Sequence, residues 1–121
     1  MMKLISKKMD VPFDYFTHAL ATAWNTLEVS PIEKLLANDF HYSSFWVYDE
    51  MTSAAQYLEY LKGKFETLKS SGSVVKAEQI PGKDFIVLTQ DNVRQCGIII
   101  KVNDDGLIAR ADMMPLQFCN R

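Results

Sequence analysis

Apolar residues recur at helical spacing in two long segments of the chain. In FDYFTHALATAWNTLE, residues 13–28, they stand three or four positions apart, which places them on one face of an α-helix. These residues are Phe13, Phe16, Leu20, Trp24 and Leu27. A second stripe lies within residues 52–72 and consists of Ala54, Leu58, Leu61, Phe65 and Leu68. Both segments are therefore predicted to be amphipathic helices.

The second of these helices carries signals at both ends. Ser53 with Gln56 forms a capping box, and Gly72 suits the position that follows a helix. Lysines alternate with glutamates between the apolar positions, a pattern typical of a solvated outer face. We therefore predict a helix that stops before Gly72 and turns its charged side toward water.

A shorter helix is predicted between the two long ones, in SPIEKLLAND, residues 30–39. Ser30 suits the N-cap, Pro31 suits the first helical position, and Glu33 completes a capping box. We expect this helix to stop at the Asn-Asp pair that closes the segment. A strand should then begin at Phe40.

After Gly72 the pattern changes to strands separated by turn residues. The turn signals are Pro81-Gly82, Asp91-Asn92 and NDDG at residues 103–106. Such short turns favour antiparallel neighbours. Residues 1–12 form a lead-in, which we expect to end at Pro12 because proline steers the preceding residue away from helix. We predict one α+β domain over residues 13–121, with three helices in its N-terminal half packed on a mostly antiparallel sheet.

The stretch HYSSFWVYDE, residues 41–50, combines hydroxyl groups with large rings. Read as one strand, it places Tyr42, Ser44, Trp46 and Tyr48 on one face and His41 on the other. Tyrosine and tryptophan have a large apolar body and one polar tip, which suits the wall of a ligand pocket. The pattern fits equally well a sheet face that helices cover, with the hydroxyls bonded internally.

Composition narrows the function classes. The net charge of -2 indicates no basic face for nucleic acid. The two cysteines, Cys96 and Cys119, are far apart in the sequence, and the two histidines lack zinc-ligand spacing, so we expect neither a metal site nor another cofactor. No segment approaches the roughly 20 apolar residues that span a bilayer. We therefore predict a cytoplasmic protein without membrane or nucleic-acid partners.

Three segments in this order resemble the nuclear transport factor 2-like superfamily, which includes SnoaL-like polyketide cyclases and ketosteroid isomerases. They are AWNTLEVSPIEKLLANDFHYSS, FETLKSSG and NDDGLIARADMMP. The resemblance covers roughly residues 13–115. It implies a cone-shaped fold, in which a strongly bent sheet wraps around the helices and leaves an apolar pocket at the open end. It also implies a homodimer that pairs through the outer face of the sheet.

The resemblance argues against the isomerase mechanism. The isomerases have a tyrosine on the first helix, a general-base aspartate on the first strand and a second acid on a later strand. The matching positions here are Leu20, Ser44 and Ile98. None of these side chains can supply the required acid, base or phenol.

The cyclase and epoxide hydrolase branches fit better at two positions. Their aspartate on the last strand corresponds to Asp112, and the hydrolases' tyrosine on the first strand corresponds to Tyr42. A plain alternative for Asp112 is a surface ion pair with Arg110, two residues away on the same strand face. The ligand contacts expected from strand position and resemblance are Trp24, Tyr42, Ser44, Trp46, Tyr48, Ile98 and Met114.

Three functions follow from these expectations. The first is a binding protein for a small apolar or amphipathic molecule, which the incomplete catalytic set favours. The second is a lyase, cyclase or hydrolase that uses Asp112 as an acid–base group, with Tyr42. The third is an adaptor that binds other proteins through exposed aromatic residues.

Overall fold

The structure, a computed structural model of the chain, describes residues 13–119, and the predicted lead-in of residues 1–12 lies outside them. Within this range the chain forms two α-helices, six strands and a final 3₁₀ turn. The helices are α1 (Phe13–Thr26) and α2 (Ala54–Ser71). The strands are β1 (Leu36–Ser44), β2 (Val47–Met51), β3 (Val75–Gln79), β4 (Phe85–Gln90), β5 (Val93–Val102) and β6 (Ile108–Met114). The 3₁₀ turn is Leu116–Phe118.

The six strands form one mixed sheet in the order β2-β1-β6-β5-β4-β3. All neighbours pair antiparallel except β1 and β6, which are parallel. The meander from β3 to β6 confirms the antiparallel prediction for the C-terminal half. The α+β class is likewise confirmed.

Both helices pack on one face of the sheet, called here the inner face. Paired residues of neighbouring strands point to the same side, and the pairs Leu88↔Cys96 and Ile98↔Met113 belong to this face. They pack in one apolar cluster with buried residues of both helices. From α1 and α2 these are Phe16, Leu20, Trp24, Tyr57, Leu61, Phe65 and Leu68.

The opposite, outer face carries a smaller apolar cluster under the C-terminal turn. Phe85, Val87 and Ile99 pack there with Cys119, and Met114 and Leu116 lie against them. Both faces of the central strands are therefore partly apolar.

The end signals of α2 are confirmed. The Ser53 hydroxyl accepts a hydrogen bond from the Gln56 backbone N–H, and the Gln56 side chain accepts one from the Thr52 N–H. Gly72 has φ of 76°, a left-handed conformation that glycine adopts without the steric cost of a Cβ. The helix therefore starts and ends where the sequence indicates.

The predicted short helix at residues 30–39 is wrong. The segment forms consecutive turns with hydrogen bonds such as Ile32 N–H to Val29 O, 3.0 Å, and Leu35 N–H to Ile32 O, 2.9 Å. The strand begins at Leu36 rather than Phe40, because the Ile108 N–H donates to the Leu35 carbonyl and Leu36 pairs with Ile108 of β6. Sheet pairing thus overrides the local helix signals.

The stretch at residues 41–50 is a hairpin rather than one strand. β1 ends at Ser44, Phe45 and Trp46 form the turn, and β2 runs back antiparallel from Val47. The alternation predicted from Tyr42 to Tyr48 stops at this turn. A turn inside an aromatic stretch carries no glycine or proline signal, and the periodicity of the sequence does not reveal it.

Candidate functional site

A cavity of about 210 Å³ opens between the two helices and the inner face of the sheet. Its wall takes residues from both helices, from β3 to β6 and from the β1–β2 turn. These residues are Trp24, Trp46, Lys64, Leu68, Val75, Leu88, Thr89, Gln90, Gln95, Cys96 and Met113. Pockets for drug-sized ligands measure roughly 300–1,000 Å³, so this cavity suits a smaller molecule.

Trp24 lines the cavity and carries a buried polar group. Only 2% of this residue is exposed, and its ring packs edge-on against Phe65 at 5.0 Å between centroids. Its indole Nε1–H is buried and has no acceptor among the described residues. A buried donor left without a partner costs about 1–3 kcal/mol.

Lys64 carries the one formal charge among the cavity-wall residues that the structure describes. It lies on α2 between Leu61 and Leu68, at helical spacings of three and four, and it is exposed. Burial raises the pKa of the Cys96 thiol to about 11, and the Lys64 ammonium opposes this increase. Cys96 is consequently a neutral thiol at physiological pH.

Beside the cavity, a cluster of aromatic rings joins β1 to α2. The Tyr57 ring lies 4.8 Å from that of Phe40 and 4.7 Å from that of Tyr42. The Tyr42 hydroxyl donates to the Met113 sulfur at 3.6 Å. Burial raises the pKa of Tyr42 and of Tyr57 well above the ordinary tyrosine range, so both phenols stay protonated.

Asp112 lies on the outer face of the sheet. Its Cα partners, Ser43 and Ile99, point to the same side, and Ile99 belongs to the outer apolar cluster. The carboxylate accepts hydrogen bonds from the Ser43 hydroxyl and from Arg110 Nε, the latter at 3.1 Å. Because the cavity opens on the inner face, the fold does not bring Asp112 together with Tyr42 around one ligand.

Arg110 extends this network along the outer face. Its Nη2 lies 2.7 Å from the Glu50 carboxylate and 3.0 Å from that of Asp112. His41 also reaches Glu50, at 3.2 Å, which places His41 on the outer face. Hydrogen bonds from Arg110, and then from His41, lower the pKa of Glu50. The ion pair between Arg110 and Asp112 is thus present, as part of a group of four charged or ionisable side chains.

The other sequence-predicted ligand residues are scattered. Trp24 and Trp46 line the cavity, whereas Ile98 is fully buried and pairs with the cavity residue Met113. Met114 lies in the outer cluster, and Tyr48 is fully exposed. Ser44, at the end of β1, accepts a hydrogen bond from the Trp46 N–H at 3.4 Å, which stabilises the turn.

Several residues of the cavity wall were not predicted from the sequence. Lys64 is exposed, as predicted for the solvated side of its helix, but its spacing of three and four from Leu61 and Leu68 also brings it to the edge of the cavity. Gln90 and Gln95 flank the turn between β4 and β5, and nothing in their local sequence distinguishes them from other surface amides. Helical spacing could have identified Lys64, but no comparable signal exists for the glutamines.

Two searches of the described residues concern other kinds of site. No group of three or more histidine, cysteine, aspartate or glutamate side chains there is arranged to hold a metal ion. Neither of the helices described has the length and apolar character needed to cross a membrane.

Comparison with known proteins identifies similar structures. No protein-family model and no curated protein sequence matches the chain. A SnoaL-like protein of unknown function from Burkholderia thailandensis superposes with a TM-score of 0.64 at 15% identity, over 81% of this chain and 89% of the other. A protein of unknown function from Cytophaga hutchinsonii, described as NTF2-like, has a TM-score of 0.50 at 12% identity, over 82% and 81%.

An enzyme is also among the similar structures. The LEH-like epoxide hydrolase of M. tuberculosis has a TM-score of 0.55 at 15% identity, over 91% of this chain and 85% of the other. Together with the SnoaL-like and NTF2-like structures, it shows that this chain has the nuclear transport factor 2-like fold. At these identities the likeness concerns the fold alone.

Proposed function

We propose that the protein binds a small, largely apolar molecule in the cavity between its helices and the inner face of its sheet. The observation that carries the proposal is the cavity of about 210 Å³ itself, which the buried Trp24 lines from α1. Leu68, Leu88 and Met113 add apolar wall, and Thr89, Gln90 and Gln95 add polar side chains. A ligand with a hydrocarbon body and one polar end matches both features.

The enzymatic alternative is weaker on this geometry. It needs Asp112 and Tyr42 to face one substrate, but they point to opposite faces of the sheet. Tyr42 is also held by Met113 and stays protonated. The epoxide hydrolase among the similar structures supports the idea that the fold can surround a small molecule, and not that this chain carries out the same reaction.

An interaction role has one observation in its favour. The exposed aromatic residues Phe45, Trp46 and Tyr48 lie on the β1–β2 hairpin, and the Phe45 ring contacts that of Phe118 at 5.6 Å. Exposed apolar groups of this kind often mark contact surfaces. We likewise propose, from the sequence, a homodimer that pairs through the outer face of the sheet. A cytoplasmic location is proposed on the same basis.

Cavity binding can be tested with two six-carbon probes, hexanamide and hexanoate. We expect either probe, added to ¹⁵N-labelled protein, to shift the Trp24 indole N–H resonance saturably, because the probe would lie against the Trp24 ring in the cavity wall. A Trp46→Phe variant identifies the signal, since the chain has two tryptophans. Val75→Trp should weaken binding at least tenfold by filling the cavity that Val75 lines (about 1.4 kcal/mol or more).

Val74→Trp is the matched control. Val74 precedes β3, is 62% exposed and does not line the cavity, so the same enlargement there should leave binding unchanged. Equal effects of the two tryptophan substitutions, or no saturable shift with either probe, would refute the proposal.

A further inference from the structure

The charge of Lys64 is not neutralised within the described chain. Lys69, on the same helix, pairs with Glu28 at 2.9 Å, whereas Lys64 has no carboxylate partner among the described residues. Its neighbours one helical turn away are Tyr60, Leu61, Thr67 and Leu68, none of them acidic. Among the described residues of the cavity wall, Lys64 is therefore the one cation, and it is exposed without a carboxylate partner there.

No group in the described part of the cavity wall opposes that charge. Residues 13–119 contribute no aspartate or glutamate to the wall, and the Cys96 thiol is neutral because burial raises its pKa to about 11. The side-chain amide nitrogens of Gln90 and Gln95 already donate, to Ser73 and to the Val93 carbonyl, both at 3.4 Å. Lys64 is thus the one charged donor that the described wall offers to a ligand, beside the neutral Thr89 hydroxyl and the remaining amide N–H groups.

These groups define the chemistry of the occupant. Resting on the cavity-binding function proposed above, we infer that the cavity selects small organic acids, with the carboxylate at the exposed Lys64 ammonium and the hydrocarbon against Leu68, Leu88 and Met113. A carboxylate accepts several hydrogen bonds at once, and a charge-assisted bond is stronger than a neutral one. A neutral amide of the same shape offers one acceptor without charge.

The test compares hexanoate with hexanamide on the full chain. In the wild-type protein we expect hexanoate to bind about fivefold more tightly or better, as followed by the Trp24 indole resonance. Lys64→Gln should reduce the preference to within about twofold by weakening hexanoate alone, and Lys64→Arg should retain it. Higher salt should weaken hexanoate and not hexanamide.

Lys62→Gln is the matched control. Lys62 lies on the same helix, next to Leu61, but does not line this cavity. Lys62→Gln removes one positive charge, as Lys64→Gln does. Equal affinity for both probes in the wild-type protein would overturn the inference while leaving cavity binding intact. Equal losses in Lys62→Gln and Lys64→Gln would do the same, because long-range charge alone would then explain the preference. Binding of neither probe would refute the cavity function as well.

Discussion

Phe40→Ala is expected to lower the free energy of unfolding by about 3–5 kcal/mol, the usual cost of truncating a fully buried phenylalanine. Phe40 has no exposed surface, and its ring lies 4.8 Å from that of Tyr57. It therefore joins β1 to α2 across the core. Truncation would remove this contact and leave a void that the surrounding strands cannot close. Urea denaturation of both proteins, followed by circular dichroism, measures the difference.

Tyr48→Ala provides the comparison within the same hairpin. Tyr48 is fully exposed, so removal of its ring should change the free energy of unfolding by no more than about 0.5 kcal/mol. The pair distinguishes the hairpin from a single continuous strand, in which Tyr42 and Tyr48 would share a buried face. A loss in Tyr48→Ala as large as that in Phe40→Ala would contradict the observed turn at Phe45 and Trp46.

Gly97→Ala is expected to destabilise the protein by about 1–3 kcal/mol, because added volume strains a packed site. Gly97 lies in the middle of β5, and a Cβ there would collide with the Cys119 sulfur of the C-terminal segment. It would also come within 3.3 Å of the Ile86 carbonyl oxygen. The absence of a side chain at Gly97 is thus what lets Cys119, directly after the 3₁₀ turn, pack on the outer face. Thermal and urea unfolding measure the loss.

The double variant Gly97→Ala/Cys119→Ala isolates the collision. Removal of the sulfur should restore part of the stability, so the two substitutions together should cost less than the sum of their separate effects. Gly63→Ala is a second control: no atom lies within 4 Å of its added Cβ, and the helix interior should gain about 0.5–1 kcal/mol. Strict additivity of the first two substitutions would show that the C-terminal segment does not pack against Gly97.

The sequence predicted correctly those helix ends and turns that are formed by residues close together in the chain. The helix α2 starts at the Ser53 cap and ends at Gly72, and the hairpin turn at Asp91-Asn92 has positive φ at both residues. Asparagine and aspartate tolerate this conformation better than other non-glycine residues. The interactions that form these ends span only a few positions, so the sequence contains them directly.

Residues 30–39 show where such signals fail. Ser30, Pro31 and Glu33 favour a helix start, yet the carbonyl of Leu35 accepts a hydrogen bond from Ile108, more than seventy positions away. Pairing with β6 fixes Leu36 in a strand and leaves too few residues before it for a stable helix. The sequence of residues 30–39 does not indicate that this segment pairs with a strand so far along the chain.

The residues of the candidate site also fall into those that the sequence placed correctly and those that it did not. Trp24 was placed correctly on the inner stripe of α1 because helical spacing determines which side chains share a face. Asp112 and Met114 were assigned to the pocket, but they lie on the outer face of β6. Both faces of β6 carry apolar residues, so alternation alone could not tell inner from outer.

Spacing and end signals along the chain were enough to establish the two long helices, the C-terminal meander and the α+β class, since each depends on contacts between near neighbours. The folded arrangement alone determined that Asp112 joins Arg110 and Glu50 on the outer face, away from the cavity. The reason is that one residue of register in a strand reverses every side chain it carries, and that register depends on pairing with distant strands.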